Sequence, residues 1–426
     1  MAQWDVVVIG GGPAGLMASA AAASYNVKVL LVDKGDKLGR KLAISGGGRC
    51  NVTNAKPLDE LIKNVPGNGK FLFSALHMFS NTDIIGFFTR LGIELKEEDR
   101  GRMFPVNNKA KSVVDALVKE VRRLGVTIRT NKPVKELVYD QDAVKAIVLA
   151  SGETITSKTV IVAVGGQSVP TTGSTGDGYP WAKAAGHTII DLFPTAVPLT
   201  ASDFFIQDAR LQGLSLRNVE LTLFNPKGKK VCTEEGDMLF THFGISGPAV
   251  LRTSHYVSVT QRKFKNTPLL LTIDMMPAKS AGSIAEETVA MLKEEPRKAI
   301  KNVLRTYLPD RLLKLMLEIA GINEDVTYYD LPRDKWEKFV QLIKHFPVTI
   351  TGTLSLEQAT VTGGGVKIKE IDPKTMQSKC KKGLFFAGEI MDVHAHTGGY
   401  NITVAFTTGH AAGTAAAKQA LEAEKF

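Results

Sequence analysis

The sequence predicts an α/β fold in which a dinucleotide-binding domain is interrupted by a β-rich insert. Three observations predict it. Residues 5–15 read Asp-Val-Val-Val-Ile-Gly-Gly-Gly-Pro-Ala-Gly, a fully apolar strand run followed by G-x-G-x-x-G. Two more apolar runs far down the chain, at 159–166 ending in Gly-Gly and at 382–389 ending in Gly-Glu, read as strands buried on both faces of a parallel sheet. Between them, from about residue 193, prolines, polar strands and Lys-Gly turns change the texture to about residue 273.

The opening motif assigns its own roles. Gly10 permits the tight turn, Gly12 lets a pyrophosphate approach the backbone, and Gly15 lets helix and strand pack closely. A helix over 14–25 follows and aims its positive end at the phosphates. A second apolar strand ends at Asp33, 18 residues past Gly15, close to where an acid meets ribose hydroxyls.

Further along, Ser45-Gly-Gly-Gly-Arg-Cys-Asn51 holds three glycines that suit a backbone lying against something flat or phosphate-like, flanked by Arg40, Lys41 and Arg49. Residues 58–95 read as helices, 101–105 as a turn, and 112–124 as a helix with Val113, Leu117 and Val121 on one face. Short strands are expected at 126–129 and 134–138, with a hairpin of 143–149 and 153–155 around Ser151-Gly152. The next apolar strand, 159–166, should end at the cofactor. After the β-rich stretch, four short helices are expected at 281–294, 297–308, 310–320 and 333–345, with Asp310 capping the third, Gly321 ending it and Pro332 opening the fourth. A strand at 348–351 leaves the insert. The strand before Gly388-Glu389 follows, then a final helix from Gly399-Tyr400-Asn401, whose Ala405, Gly409, Ala412 and Gly413 permit close packing on the sheet. The domains are therefore expected at 1–192 with 350–426, at 193–275 with 346–349, and at 276–345.

The 426 residues suffice for two or three domains and a large core, at 44% hydrophobic and 23% charged. A strand beginning by about residue 5 leaves no room for a signal peptide, no apolar run is long enough to span a bilayer, and a cytoplasmic location is expected. Cys50, Cys232 and Cys380 are few and far apart, and no C-x-x-C exists, which argues against a disulfide framework and dithiol chemistry. The net charge is +10, of which residues 193–349 carry about +3, close to their share by length. Charge so evenly spread argues against nucleic acid as a partner. No ligand set for a metal is seen, and the oligomeric state is not encoded in any motif.

A split domain that returns with strand-Gly-Glu and a Gly-Gly-helix points from nicotinamide to flavin, because a helix end can stabilise the negative charge of a reduced flavin. Gly10–Gly15, Asp33, Gly39–Asn54, Gly101–Pro105, Phe240–Pro248, Ala359–Val366 and Gly398–Asn401 together resemble a family. It comprises the bacterial flavoproteins called aminoacetone-oxidase-like or bile-acid-reductase-like, also loosely NAD(FAD)-utilising dehydrogenases. The resemblance covers essentially the whole chain. It implies non-covalent FAD in a glutathione-reductase-like Rossmann domain, with an inserted β-barrel and a small helical domain. Where members often carry Asp-Gly before Gly-Gly-Tyr-Asn, this chain has Val393-His-Ala-His396.

By position in such a fold, Asp33 and Lys34 lie at the adenosine ribose and Gly12, Pro13 and Ala14 at the pyrophosphate. Val134, Val164, Gly165 and Gly166 lie at the adenine half. Arg40, Lys41, Ser45, Gly46, Gly47, Gly48, Arg49, Cys50 and Asn51 run along the ribityl chain and ring, closed by Gly388, Glu389, Gly399, Tyr400 and Asn401. The expected chemistry is hydride transfer between flavin N5 and a small organic substrate held between the flavin and the insert. Electrons then pass to O2, or come from NAD(P)H visiting transiently, since no second nucleotide motif is present. Asn51, Tyr400 and His396 are the catalytic candidates, with His394 and His242 as further proton donors for an enone. The rival readings are an RNA-modifying flavoprotein and a flavin-binding sensor without turnover.

Overall fold

The computed structural model describes residues 3–423 and divides into two compact units. One runs to Pro194 and resumes at Leu356; the other is Thr195–Ser355.

The first unit is built on a parallel sheet. Its strands stand in the order Thr127–Arg129, Val29–Val32, Trp4–Ile9, Thr154–Val162 and Leu384–Phe386. Val6 pairs with Val29 on one side and Thr159 on the other, and Val160 pairs onward with Leu384. Val6, Val7, Val8, Leu30, Leu31 and Ile161 are fully buried, which is why these runs lack any polar alternation. Of the expected strand at 159–166 only residues 159–162 are strand, the second half of the nine-residue Thr154–Val162. Residues Thr154 to Thr156 pair antiparallel in the ribbon with Ala143–Leu149, and the chain then crosses into the parallel sheet at Ser157.

Helix Pro13–Ala23 starts on Gly12, with proline at its first position, and buries every residue after Pro13. The final helix, Tyr400–Glu422, packs on the sheet as expected and also on this helix, helix to helix. A Cβ on Gly409 would stand 2.3 Å from the Ala14 carbonyl oxygen, and one on Gly413 2.2 Å from that of Ala18. The helix Ala110–Arg123 buries Val113, Leu117 and Val121 as its spacing requires. The expected turn at 101–105 is instead a strand, Arg102–Pro105, central in a three-stranded sheet with Thr53–Asn54 and Leu95–Glu98. Strand Val361–Val366 pairs with Ile189–Thr195, so the chain leaves for the insert and returns on neighbouring strands.

The second unit is a closed six-stranded barrel of Leu199–Ala201, Gly244–Ser246, Lys230–Phe240, Ser215–Phe224, Leu269–Asp274 and Phe346–Thr353. The last strand carries the insert past the expected edge at 349. A helix with no counterpart in the expectations, Pro248–Lys263, follows the fourth strand of the chain order in this barrel. Of the four expected helices, the second shrinks to Ile300–Leu304, and Asp310 is the first residue of the third rather than its cap. Leu221, Phe240, Ile273, Leu312, Phe339 and Phe346 lie in a single hydrophobic cluster, so barrel and helices share one core. Among the described residues, no helix is long and apolar enough to cross a membrane.

Candidate functional site

The three motif glycines have separate jobs. A Cβ on Gly10, where φ is +103°, would stand 2.5 Å from the Ala163 carbonyl oxygen, and one on Gly15 1.8 Å from that of Gly10. Those two hold strand, loop and helix together. Gly12 is different: nothing of the protein lies within 4 Å of its added Cβ. Open backbone at the start of an 11-residue helix is the cradle a pyrophosphate requires. Asp33, at the end of its strand, accepts the Gly11 N–H at 2.6 Å and the Gly35 N–H at 2.7 Å, which fixes its carboxylate beside the glycine loop. Lys34 reaches Asp177 at 2.5 Å and also Thr175. Val134 opens the ribbon strand Val134–Asp140, beside a register shift. Val164 and Gly165 come one residue after the sheet strand ends at Val162, and Gly165 turns with φ +76°.

The second glycine run is a left-handed turn. Gly46, Gly47 and Gly48 have φ of 58°, 67° and 83°, and an added Cβ on Gly47 or Gly48 meets nothing within 4 Å. Side chains other than glycine adopt three such residues in succession only at a cost of about 1–2 kcal/mol each. The loop is thus an exposed strip of bare backbone, suited to the face of a flat ring. Its flanks are engaged within the protein. Arg49 pairs with Glu98, donates to Asn108 and lies 4.2 Å from the Phe104 ring centroid; its guanidinium holds the Glu98 carboxyl below the usual range. Arg40 pairs with Asp36. Ser45 accepts the Cys50 N–H through its carbonyl. The Cys50 thiol is buried and pushed up to about 12, so it is a packed thiol and not a nucleophile.

Residues from four distant stretches meet at Lys41. Its ammonium donates to Glu389 at 2.8 Å and to the Ser168 hydroxyl at 2.8 Å. The Ser168 hydroxyl and the Thr362 N–H each donate to the other Glu389 oxygen, at 3.0 and 2.8 Å. The Thr362 hydroxyl in turn accepts the N–H groups of Gln167 and Ser168. Burial raises the Glu389 carboxyl, but the Lys41 ammonium and these donors outweigh it and hold the group below its usual value. The sequence marked Lys41 and Glu389. It missed Ser168 and Thr362, whose only signal was their place after Gly165-Gly166 and inside Thr-Gly-Gly-Gly. Gly388, with φ +76°, stands where a Cβ would lie 2.9 Å from that of Ala14, at the helix start.

The catalytic candidates divide. Asn51 is buried, and its carboxamide oxygen accepts the Met103 N–H at 3.0 Å. A Cβ on Gly399 would stand 3.0 Å from that same oxygen, so Asn51 lies at the start of the last helix beside Tyr400, which is also buried. Asn401 holds the preceding turn: it accepts the Ala395 N–H at 2.9 Å and donates to the carbonyls of Ala395 and His396 at 2.8 and 3.2 Å. His396 is buried with its N–H on the Asn64 carbonyl at 2.9 Å. His394 packs edge-on to Phe193 and over Gly67. His242 belongs to the other unit.

The family described as HI0933-like protein Rossmann domain matches residues 4–415. The chain is 32% identical to the ribosomal RNA dihydrouridine synthase of Haemophilus influenzae, over 98% of this chain and all of that one. It is 29% identical to the 3-dehydro-bile acid delta(4,6)-reductase of Clostridium scindens, over 97% of this chain and 98% of that one. Among solved structures, a 3-ketosteroid delta1-dehydrogenase from Sterolibacterium denitrificans is similar in fold, with a TM-score of 0.52 at 14% identity, over 97% of this chain and 99% of that one.

Proposed function

This chain is an FAD-dependent oxidoreductase belonging to the HI0933-like Rossmann family, and we propose that it reduces a carbon–carbon double bond conjugated to a carbonyl. The observation that carries the reading is that the two reductions named for its full-length relatives share this bond: the uracil ring that becomes dihydrouridine, and the unsaturated 3-oxo bile acid. FAD, when bound, supplies hydride chemistry at its N5. The protein's part is to bind, orient and donate one proton. Gly12 and the helix starting at Pro13 would hold the pyrophosphate, Asp33 the ribose, and Gly46 to Gly48 the ring. Tyr400 and His396 are the side chains we assign to proton delivery at the carbon next to the carbonyl, with Asn51 as a polar contact.

Two substrate classes fit. A net charge of +10 favours uridine in ribosomal RNA, whose phosphates such a chain attracts. The even spread of that charge favours the second class, a free enone of steroid type. The test reduces the flavin anaerobically with NADH, NADPH or light and then adds ribosomal RNA or a 3-oxo-4,6-unsaturated bile acid. Reoxidation by one of the two, with a product two mass units heavier, identifies the substrate class. If neither reoxidises the flavin while O2 does so at once, the protein is an oxidase and the reading fails. A colourless protein that takes up no FAD would overturn the cofactor as well.

A further inference from the structure

Far from the glycine loops in sequence, three ligating side chains of the first unit converge. His187 follows helix Gly178–Ala184, its N–H on the Ala182 carbonyl at 3.0 Å. Glu370 ends the short turn Ile368–Glu370, and Cys380 lies ten residues on, in a loop tied by Lys379 N–H to the Glu370 carbonyl at 2.9 Å. The His187 Nδ1 is 3.5 Å from Glu370 Oε2 and 3.9 Å from Cys380 Sγ, and all three ligand atoms lie within 4.8 Å of one another. A tetrahedral zinc with Zn–N and Zn–O near 2.1 Å and Zn–S near 2.3 Å separates its ligands by about 3.4–3.6 Å. The three atoms therefore need to close in by only a few tenths of an ångström to about 1 Å.

The surroundings fix the same geometry. The other ring nitrogen of His187 is 2.7 Å from the Ser378 hydroxyl, which also accepts the N–H groups of Cys380 and Lys381 at 3.0 and 2.9 Å. One hydroxyl thus orients both the imidazole and the cysteine turn. The Glu370 carboxylate is held in turn by the Thr188 N–H and hydroxyl, both at 2.8 Å.

We propose that His187, Glu370 and Cys380 bind a zinc-type divalent cation, with water as the fourth ligand and loss of the thiol proton on binding. The ion would pin the loop leading into strand Leu384–Phe386, and so Gly388-Glu389, to the helix that begins at Gly178. Zinc alone is the probe, titrated into the reduced holoprotein against a chromogenic chelator, with cobalt as the spectroscopic substitute. One equivalent should bind, cobalt should give thiolate-to-metal absorption, and zinc should raise the melting temperature. Cys380→Ser, at a half-buried position, should weaken zinc by at least about 100-fold and abolish the cobalt–thiolate band. Cys232→Ser, in the other unit, should leave both unchanged. Equal zinc affinity in wild type and Cys380→Ser, or no cobalt–thiolate band in wild type, would overturn the proposal. Flavin content and turnover are separate readouts, so the proposal stands or falls apart from the reaction.

Discussion

Gly12→Ala separates cofactor binding from folding, because the space over this glycine is empty of protein. Its φ of −77° and ψ of −176° suit alanine, and the added methyl meets no atom within 4 Å. The cost to the folded chain is then at most the helix-start preference for glycine over alanine, about 1 kcal/mol. For a unit of this size that is a fall of about 2–4 °C in the melting temperature of the apoprotein. On the proposed reading the methyl occupies the surface that the pyrophosphate of FAD would approach, and losing one charge-assisted backbone hydrogen bond costs about 1.5–3 kcal/mol. FAD should therefore bind about 10- to 150-fold more weakly. Titration of apoprotein with FAD, followed by quenching of flavin fluorescence, measures this beside the apoprotein melt. Gly15→Ala is the contrast: its methyl would stand 1.8 Å from the Gly10 carbonyl oxygen, so the apoprotein itself should lose several degrees. Unchanged FAD affinity in Gly12→Ala, or equal apoprotein melts in the two variants, would refute the division of labour.

Two further outcomes follow from the packing and the charge network. Gly413→Ala forces its methyl against the Ala18 carbonyl, 2.2 Å away, so the two helices must separate by roughly 1 Å, at a cost of about 1–3 kcal/mol read from chemical denaturation. Glu389→Gln leaves Lys41 without its carboxylate and should destabilise the protein by about 1.5–3 kcal/mol at neutral pH. Because the folded carboxyl titrates below its ordinary 4.5, its stabilisation is complete above that value and lost as pH falls through the lower folded one. The gap between wild type and Glu389→Gln should be constant well above the ordinary 4.5 and narrow as pH falls below it in thermal melts, and a gap that widens on acidification would contradict the pairing.

The sheet was legible because burial on both faces leaves an unbroken apolar run, as at Val6 to Ile9 and Leu384 to Phe386. Gly10 and Gly15 were legible because only a bare backbone fits there, and Gly46 to Gly48 because their left-handed φ favours glycine. What escaped depends on partners distant in sequence. Arg102–Pro105 is a strand only because Thr53 and Glu97 flank Met103, which no local pattern announces. Helix Pro248–Lys263 is rich in valine, threonine and serine, poor helix formers taken alone, and it buries Val250, Thr253, Ser254 and Val257 in the second unit. Ser168 joins Lys41 and Glu389 through bonds spanning 127 and 221 residues, and Thr362 joins Ser168 across 194. The expected helix at 297–308 shortens to Ile300–Leu304, three of whose five residues are buried.

Asn401 is the residue that holds the turn before the last helix, where the proposed proton donor His396 sits. Its carboxamide makes three hydrogen bonds to the backbone of Ala395 and His396. A carboxamide is the one side chain of this size that donates to carbonyls and accepts from an N–H at once. Asn401→Asp keeps the acceptor and sets a carboxylate oxygen against two carbonyls; Asn401→Ala loses all three bonds, about 0.5–1.5 kcal/mol each. If His396 serves the reaction from this turn, both variants should lower kcat with FAD affinity changed less than threefold, because the glycine cradle is untouched. Asn401→Asp should be the worse of the two, since repulsion moves the turn where alanine only releases it. Rapid-reaction measurement of flavin reoxidation, with FAD affinity measured alongside, distinguishes the cases. Normal turnover in both variants would remove His396 from catalysis and leave Tyr400 as the proton donor, whereas parallel loss of FAD would make this turn part of the cofactor site itself.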